Sequence, residues 1–177
     1  MIVAFLLALA FQANAEAQER PAAAEKKDQP AIAAMEQKID PLSHEDVQRL
    51  EAQRAVVKRY LSEASLKKFE TPAGKLGTLR ALLKASVFSP DQTYELQCMG
   101  IVLGDVFVQE MGFHWVMVED EYGRDPAVRF EDTGVMLFPL TMISKRIERG
   151  ETVDIFDLFN GVADVAQEEI NAVSGAN

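Results

Sequence analysis

The stretch GFHWVMVEDEYGRDPAVRFEDTGVMLFPLTMISKRIER, residues 112–149, decides the fold. Gly112 is a good stop for a preceding helix. From Phe113 the apolar residues recur with the strand period of two. The spacing predicts a strand from Phe113 to Asp120, a turn at Tyr122-Gly123, and a strand from Pro126 to Glu131. Pro126 stands near a strand start, where a missing N–H is tolerated. A second turn at Asp132-Thr133-Gly134 leads to a short strand, Val135 to Phe138. Pro139-Leu140-Thr141 then opens a helix that ends at Gly150. The stretch holds the only Trp of the chain and its densest carboxylate cluster.

A two-residue turn at Tyr122-Gly123 predicts a register. Glu121 faces Arg124 as turn support, Asp120 faces Asp125, Met117 faces Val128, and Trp115 faces Phe130. Trp115, Met117, Val128 and Phe130 then share a core face. His114, Val116, Val118, Asp120, Asp125 and Arg129 share the other. A like-charge pair such as Asp120–Asp125 costs stability unless a cation, water or Arg separates the two. The hairpin tip is therefore the first place to look for binding, with Asp120, Asp125, His114 and Arg129 as candidate residues.

The segments before the hairpin read as helices. Ser43 can cap a first helix with Asp46 at its third position, a box-like arrangement. Val47, Leu50, Val57 and Leu61 lie near one face, with Arg54 interrupting the stripe. That helix is expected to end before Thr71-Pro72. A second helix runs from Lys75 to Ala85 on Leu76, Leu79 and Leu83. Ser89-Pro90-Asp91-Gln92 carries cap, first-position Pro, dipole-favouring acid and reach-back amide, so it predicts the start of a third helix running to Met111. This helix is apolar on several sides and reads as central. Gly100 and Gly104, four residues apart, predict the close approach of another backbone. A last helix starts after the cap Asp154 and carries Ile155, Leu158, Phe159, Val162, Val165 and Ile170.

The whole chain has 177 residues, is 48% hydrophobic and 26% charged, and carries a net charge of −10. That composition suits a globular domain. It lacks the basic stripe that nucleic acid binding requires. Residues 41–84 hold nine basic and five acidic side chains, whereas residues 85–177 hold five basic and seventeen acidic ones. Attraction between the N-terminal helices and the acidic remainder follows.

Residues 1–15, MIVAFLLALAFQANA, read as a signal peptide. The apolar run Ile2 to Phe11 is shorter than the roughly 20 residues that span a bilayer. Ala13-Asn14-Ala15 fits an A-x-A cleavage site. Residues 16–40, rich in Ala, Glu, Gln and Lys, read as a flexible tether. Export to the periplasm or the medium follows, with no transmembrane span once the leader is removed.

Chemistry is sparse. His44, His114 and the lone Cys98 cannot build a zinc site at usual spacings. Cys98 lies in an apolar segment without a basic neighbour and reads as a buried thiol. No phosphate loop, dinucleotide fingerprint or nucleophile elbow is present, so no cofactor and no metal are expected. Glu119, Asp120, Glu121 and Asp125 are raw material for a cation, but in no EF-hand spacing.

The run GIVLGDVFVQEMGFHWVMVEDEYGRDPAVRF, continued by VMLFPLTMISKRIERGETVDIFDLF, resembles the bacterial family called Domain of unknown function 3806. The resemblance extends over about residues 87–172. WVMVEDEYGRDPA and FPLTMISKR are its distinctive parts. It implies domain limits and no chemistry.

The sequence thus predicts an α+β domain. A small three-stranded antiparallel sheet packs against a long central helix and a C-terminal helix. The order is leader 1–15, tether 16–40, N-terminal helical part 41–86 with two helices, and family-like domain 87–172. The functional expectation is a non-enzymatic binding or accessory module. It acts through the acidic hairpin tip on an envelope protein or ligand. A small carboxylate- or metal-dependent hydrolase using Glu119, Asp120 or Asp125 is the alternative.

Overall fold

In a computed structural model, residues 37–121 and 123–175 are described. The expected leader and most of the expected tether lie outside the described residues. Among those residues the fold is α+β, with six α-helices and a four-stranded antiparallel sheet.

The helices α1 (His44–Lys58), α2 (Glu63–Phe69), α3 (Pro72–Lys84) and α4 (Thr93–Met111) precede the hairpin. The strands are β1 (Lys38–Pro41), β2 (Phe113–Asp120), β3 (Gly123–Phe130) and β4 (Met136–Leu137), in the order β1-β2-β3-β4. A 3₁₀ turn (Pro139–Thr141), α5 (Ser144–Glu148) and α6 (Ile155–Ser174) complete the chain.

The fourth strand corrects the expectation of three. β1 lies where a tether was expected and pairs antiparallel with β2, Ile39 opposite Val118 and Pro41 opposite Val116. Four residues with one large apolar side chain carry no readable period. The free edge of β2 supplies the pairing, and Pro41 sits on an edge strand where it is tolerated.

The expected first helix divides in two. The Ser43–Asp46 box forms in both directions, Asp46 N–H donating to Ser43 Oγ and Ser43 N–H to the Asp46 carboxylate. α1 stops at Lys58, and Ser62 caps α2 by accepting from Ser65 N–H. Thr71-Pro72 is a start rather than a stop: Thr71 Oγ1 accepts from Gly74 N–H, with Pro72 in the first turn of α3. α4 begins at Thr93, later than the Ser89 signal predicts. Gln92 does reach back to Ser89 N–H, but its ψ of 58° keeps the turn separate from the helix.

α4 is the central element. Its residues from Cys98 to Phe107 are buried. It ends at Gly112 in the left-handed conformation, φ 73°. A Cβ at Gly100 would collide with the carbonyl oxygens of Pro139 and Leu140. One at Gly104 would collide with the Trp115 ring and with Pro139. The glycine pair thus lets the 3₁₀ turn and β2 lie directly against α4. α1 and α3 also pack on α4, and α6 joins the core through α3 and α4. Phe107 and Phe159 meet at 5.1 Å between ring centroids. Cys98 is buried in this core, and burial pushes its thiol up to about 11, which leaves it inert as a nucleophile.

The hairpin register is shifted by two residues from the expected one. Asp120 pairs with Gly123, Glu119 with Arg124, Val118 with Asp125, Met117 with Pro126, Trp115 with Val128 and Phe113 with Phe130. The shift has a physical reason. It sets Glu119 across from Arg124 instead of setting Asp120 across from Asp125. It also brings Phe113 and Phe130 into an edge-to-face pair at 5.8 Å. A shift of two keeps every side chain on its expected face. Trp115, Met117 and Val128 still share the face toward α4. The far face carries Val116, Val118 and Ala127, all buried, with Ile39 and Met136 against them.

Candidate functional site

The tip of the hairpin is fixed by a carboxylate that sequence reasoning assigned only to capping. Asp46, near the start of α1, is 3% exposed. Arg124 at the tip donates Nη1 to Asp46 Oδ1 and Nη2 to Oδ2, both at 2.7 Å. Arg49 donates to Oδ1 at 2.8 Å, and Ser43 contributes its Oγ and N–H to Oδ2. The Arg124 hydrogen bonds hold the Asp46 carboxyl far below the usual carboxylate range, against the opposing effect of burial. Arg124 is therefore bound to α1 and does not support the turn with Glu121. Its partner is 78 positions away in the chain, a separation at which no local pattern speaks.

The four candidate binding residues share the far face but not one small patch. Asp120 and Asp125 stand at the tip, Asp125 exposed, and they are not directly opposite each other. His114 and Arg129 face each other at the other end. Six residues of strand separate His114 from Asp120, about 20 Å. Arg129 turns to the following loop, where its Nε donates to the Thr133 carbonyl at 2.7 Å and its Nη1 lies 3.6 Å from Asp132. Glu119 and Glu121 are exposed near the tip. Register places Glu119 on the face opposite to that of Asp120 and Asp125.

A second polar node holds the base of the hairpin. Asp105, in the middle of α4, accepts from Arg54 Nε and Nη2 at 2.7 Å each and from Trp115 Nε1 at 3.0 Å. Arg54 also donates to Glu51 at 2.8 Å. Burial works to lower the Arg54 value, and the bonds to Asp105 outweigh it, so the guanidinium is held above its ordinary value. Lys75 of α3 lies beside this node, 6% exposed, with its ammonium 5.4 Å from the centre of the Phe69 ring. It donates to Gln109 Oε1 at 2.8 Å, and burial pushes it below its ordinary value. Two sequence signals pointed here. Arg54 interrupts the apolar stripe of α1, and Asp105 interrupts that of α4. A partly buried Trp such as Trp115 also favours an acceptor for its N–H.

Chemically, both buried carboxylates are committed to guanidinium partners. Their oxygens already accept guanidinium hydrogen bonds, so neither is placed to take a substrate proton. Among the described residues, no three or more His, Cys, Asp or Glu side chains are placed to hold a metal ion. Among the same residues, no helix is long and apolar enough to cross a membrane. The arrangement serves rigidity. One ion pair ties the hairpin tip to α1, and the other ties α1, α4 and Trp115 together.

A search of curated proteins finds no match. Among solved structures, the chain is similar to a protein from Bacteroides thetaiotaomicron VPI-5482, crystallised at 1.50 Å resolution. The TM-score is 0.56 at 15% sequence identity, over 72% of this chain and 47% of that one. The likeness concerns the fold, and this chain spans about half the length of that protein. The family model described as Domain of unknown function (DUF3806) covers residues 75–159, from α3 through the whole hairpin to the first turn of α6.

Proposed function

We propose that this chain is an exported, non-enzymatic binding or accessory module of the cell envelope, and that it engages a protein or ligand through the far face of its hairpin tip. The observation that carries the reading is the bidentate Arg124–Asp46 pair. It anchors the tip to α1 and so holds the strand ends that carry Glu119 and Asp125 in fixed positions. Recognition surfaces held on rigid elements lose little freedom on binding. An acidic surface of this kind favours a basic partner and speeds its encounter. Hydrolysis is less well supported, because Glu119 lies across the sheet from Asp120 and Asp125, and the three carboxylates do not converge.

The test is capture from envelope extracts by the immobilised chain. Replacing both Asp120→Asn and Asp125→Asn is expected to leave the chain folded and to abolish capture of a partner that the wild type retains after crosslinking. Unchanged capture by the folded double variant would overturn the proposal.

A further inference from the structure

A cleft of about 850 Å³ opens between the C-terminal end of α3, the loop after it, the first turns of α4, and the segment joining α5 to α6. That volume falls within the roughly 300–1,000 Å³ of pockets that hold small organic ligands. Its floor is apolar: Leu82, Phe88, Leu96 and Met99 line it and are buried. One lip carries Arg80 and Lys84, four residues apart on α3 and therefore neighbours on its surface. Both are exposed. Among the described residues, neither forms an ion pair or a side-chain hydrogen bond, and Arg80 only stacks over the Phe156 ring at 5.3 Å.

The segment before α6 adds two acids to the lining, and their carboxylates are occupied. Glu151 accepts from Arg149 at 2.7 Å, and Asp154 caps α6 by accepting from the N–H groups of Phe156 and Asp157. The lining therefore offers two cations outside any ion pair and two acids already satisfied. The C-terminal dipole of α3 disfavours an anion at that end, so both cations are needed to make the lip attractive to one. Beside the lip, Ser86 adopts the left-handed conformation with φ 47°, and Ser86 and Val87 N–H donate to the Leu83 and Leu82 carbonyls. This closes α3 with a side chain where glycine is usual.

We infer that the cleft is a binding site for a monomeric acyl carboxylate, a medium-chain fatty-acid-like anion. Its alkyl body lies on the Leu82–Phe88–Leu96–Met99 floor, and its carboxylate is held between Arg80 and Lys84. The planar guanidinium fork suits a carboxylate in two-point contact, and the apolar floor supplies the non-directional part of the affinity. The site is separate from the hairpin tip and stands or falls on its own.

The probe is decanoate, titrated calorimetrically into the full chain below its aggregation concentration. Saturable one-to-one binding is expected, with the uncharged decanol weaker by about tenfold or more. The double variant Arg80→Gln, Lys84→Gln should also bind decanoate at least about tenfold more weakly at an unchanged melting temperature. A readout on the wild type keeps the proposal testable if that variant fails to fold. Decanoate should shift the methyl resonance of Met99 and leave that of Met117, on the hairpin, in place. A Met99 methyl unmoved at millimolar decanoate would overturn the inference. So would equal affinity for decanol, equal affinity of a folded double variant, or binding only to phosphatidylglycerol vesicles.

Discussion

Replacing Asp105→Asn tests whether the node at the middle of α4 is a brace. The carboxylate accepts two guanidinium hydrogen bonds at 2.7 Å and the Trp115 N–H at 3.0 Å. The Arg54 and Asp105 side chains are only 14% and 12% exposed. Asn keeps the volume, removes the charge and turns an amide toward the guanidinium. Removing one partner of a buried pair costs about 3–5 kcal/mol, because the other charge stays buried. Glu51 remains beside Arg54 and, being mostly exposed, offsets little of this. The expected loss is therefore near the lower end, about 3 kcal/mol. Arg54→Met should cost a similar amount. The double replacement Arg54→Met, Asp105→Leu removes both charges and leaves the Trp115 N–H without its acceptor, a cost of about 1–3 kcal/mol. The double variant should thus be no less stable than either single one. Urea titration followed by Trp115 fluorescence and far-ultraviolet circular dichroism measures all four states. Trp115 is the only Trp, so its emission reports this node directly. Additive losses in the double variant, or a loss below about 1 kcal/mol for Asp105→Asn, would refute the brace.

The remaining predictions concern pH and backbone approach. The Asp46 carboxyl is held far below its ordinary value by Arg124, so its contribution is complete above the unfolded-state value of about 4 and is lost as pH falls through the folded-state value. Urea midpoints of wild type and Asp46→Asn should differ by a constant amount from pH 5 to 8 and converge as the solution is acidified below about pH 4; a gap that widens in acid would contradict the assignment. Gly100→Ala should destabilise by about 1–3 kcal/mol, because the added methyl meets the Pro139 and Leu140 carbonyls. Gly161→Ala in α6, where a Cβ has open space, should instead stabilise by about 0.5–1 kcal/mol; thermal melts of the two variants moving in the same direction would show that packing at Gly100 is misread.

What could be read from the sequence follows the range of the interactions involved. The hairpin faces, the Ser43 and Asp154 caps, the Gly112 stop and the Gly100–Gly104 approach all depend on residues within a few positions, and each stands in the structure. The register slipped by two because turn chemistry alone cannot weigh Glu119–Arg124 and Phe113–Phe130 pairing against a Tyr-Gly turn. β1 is not legible because its strand character comes from the edge of β2, not from its own four residues. Thr71-Pro72 reads locally as a terminator, yet the same dipeptide caps and starts α3. At the candidate site, the face of Asp120 and Asp125 was legible. The partner of Arg124 was not, because Asp46 belongs to a helix 78 positions earlier. The cleft was equally invisible, since it is formed by the packing of α3, α4 and the segment before α6.

The two proposed binding surfaces depend on different halves of α4, which makes them separable. Leu96 and Met99, in the first half, form part of the cleft floor. Gly104 and Asp105, in the second half, seat Trp115 and hold the hairpin. Leu96 and Asp105 are nine residues apart, about 13 Å along the helix axis. Loosening the hairpin through Asp105 should therefore weaken tip-dependent capture before it affects decanoate binding, and loss of Arg80 and Lys84 should do the reverse. If loss of the lip cations instead abolished capture at the tip, α4 would be coupling the two ends, and the chain would have to be treated as one ligand-controlled binding surface.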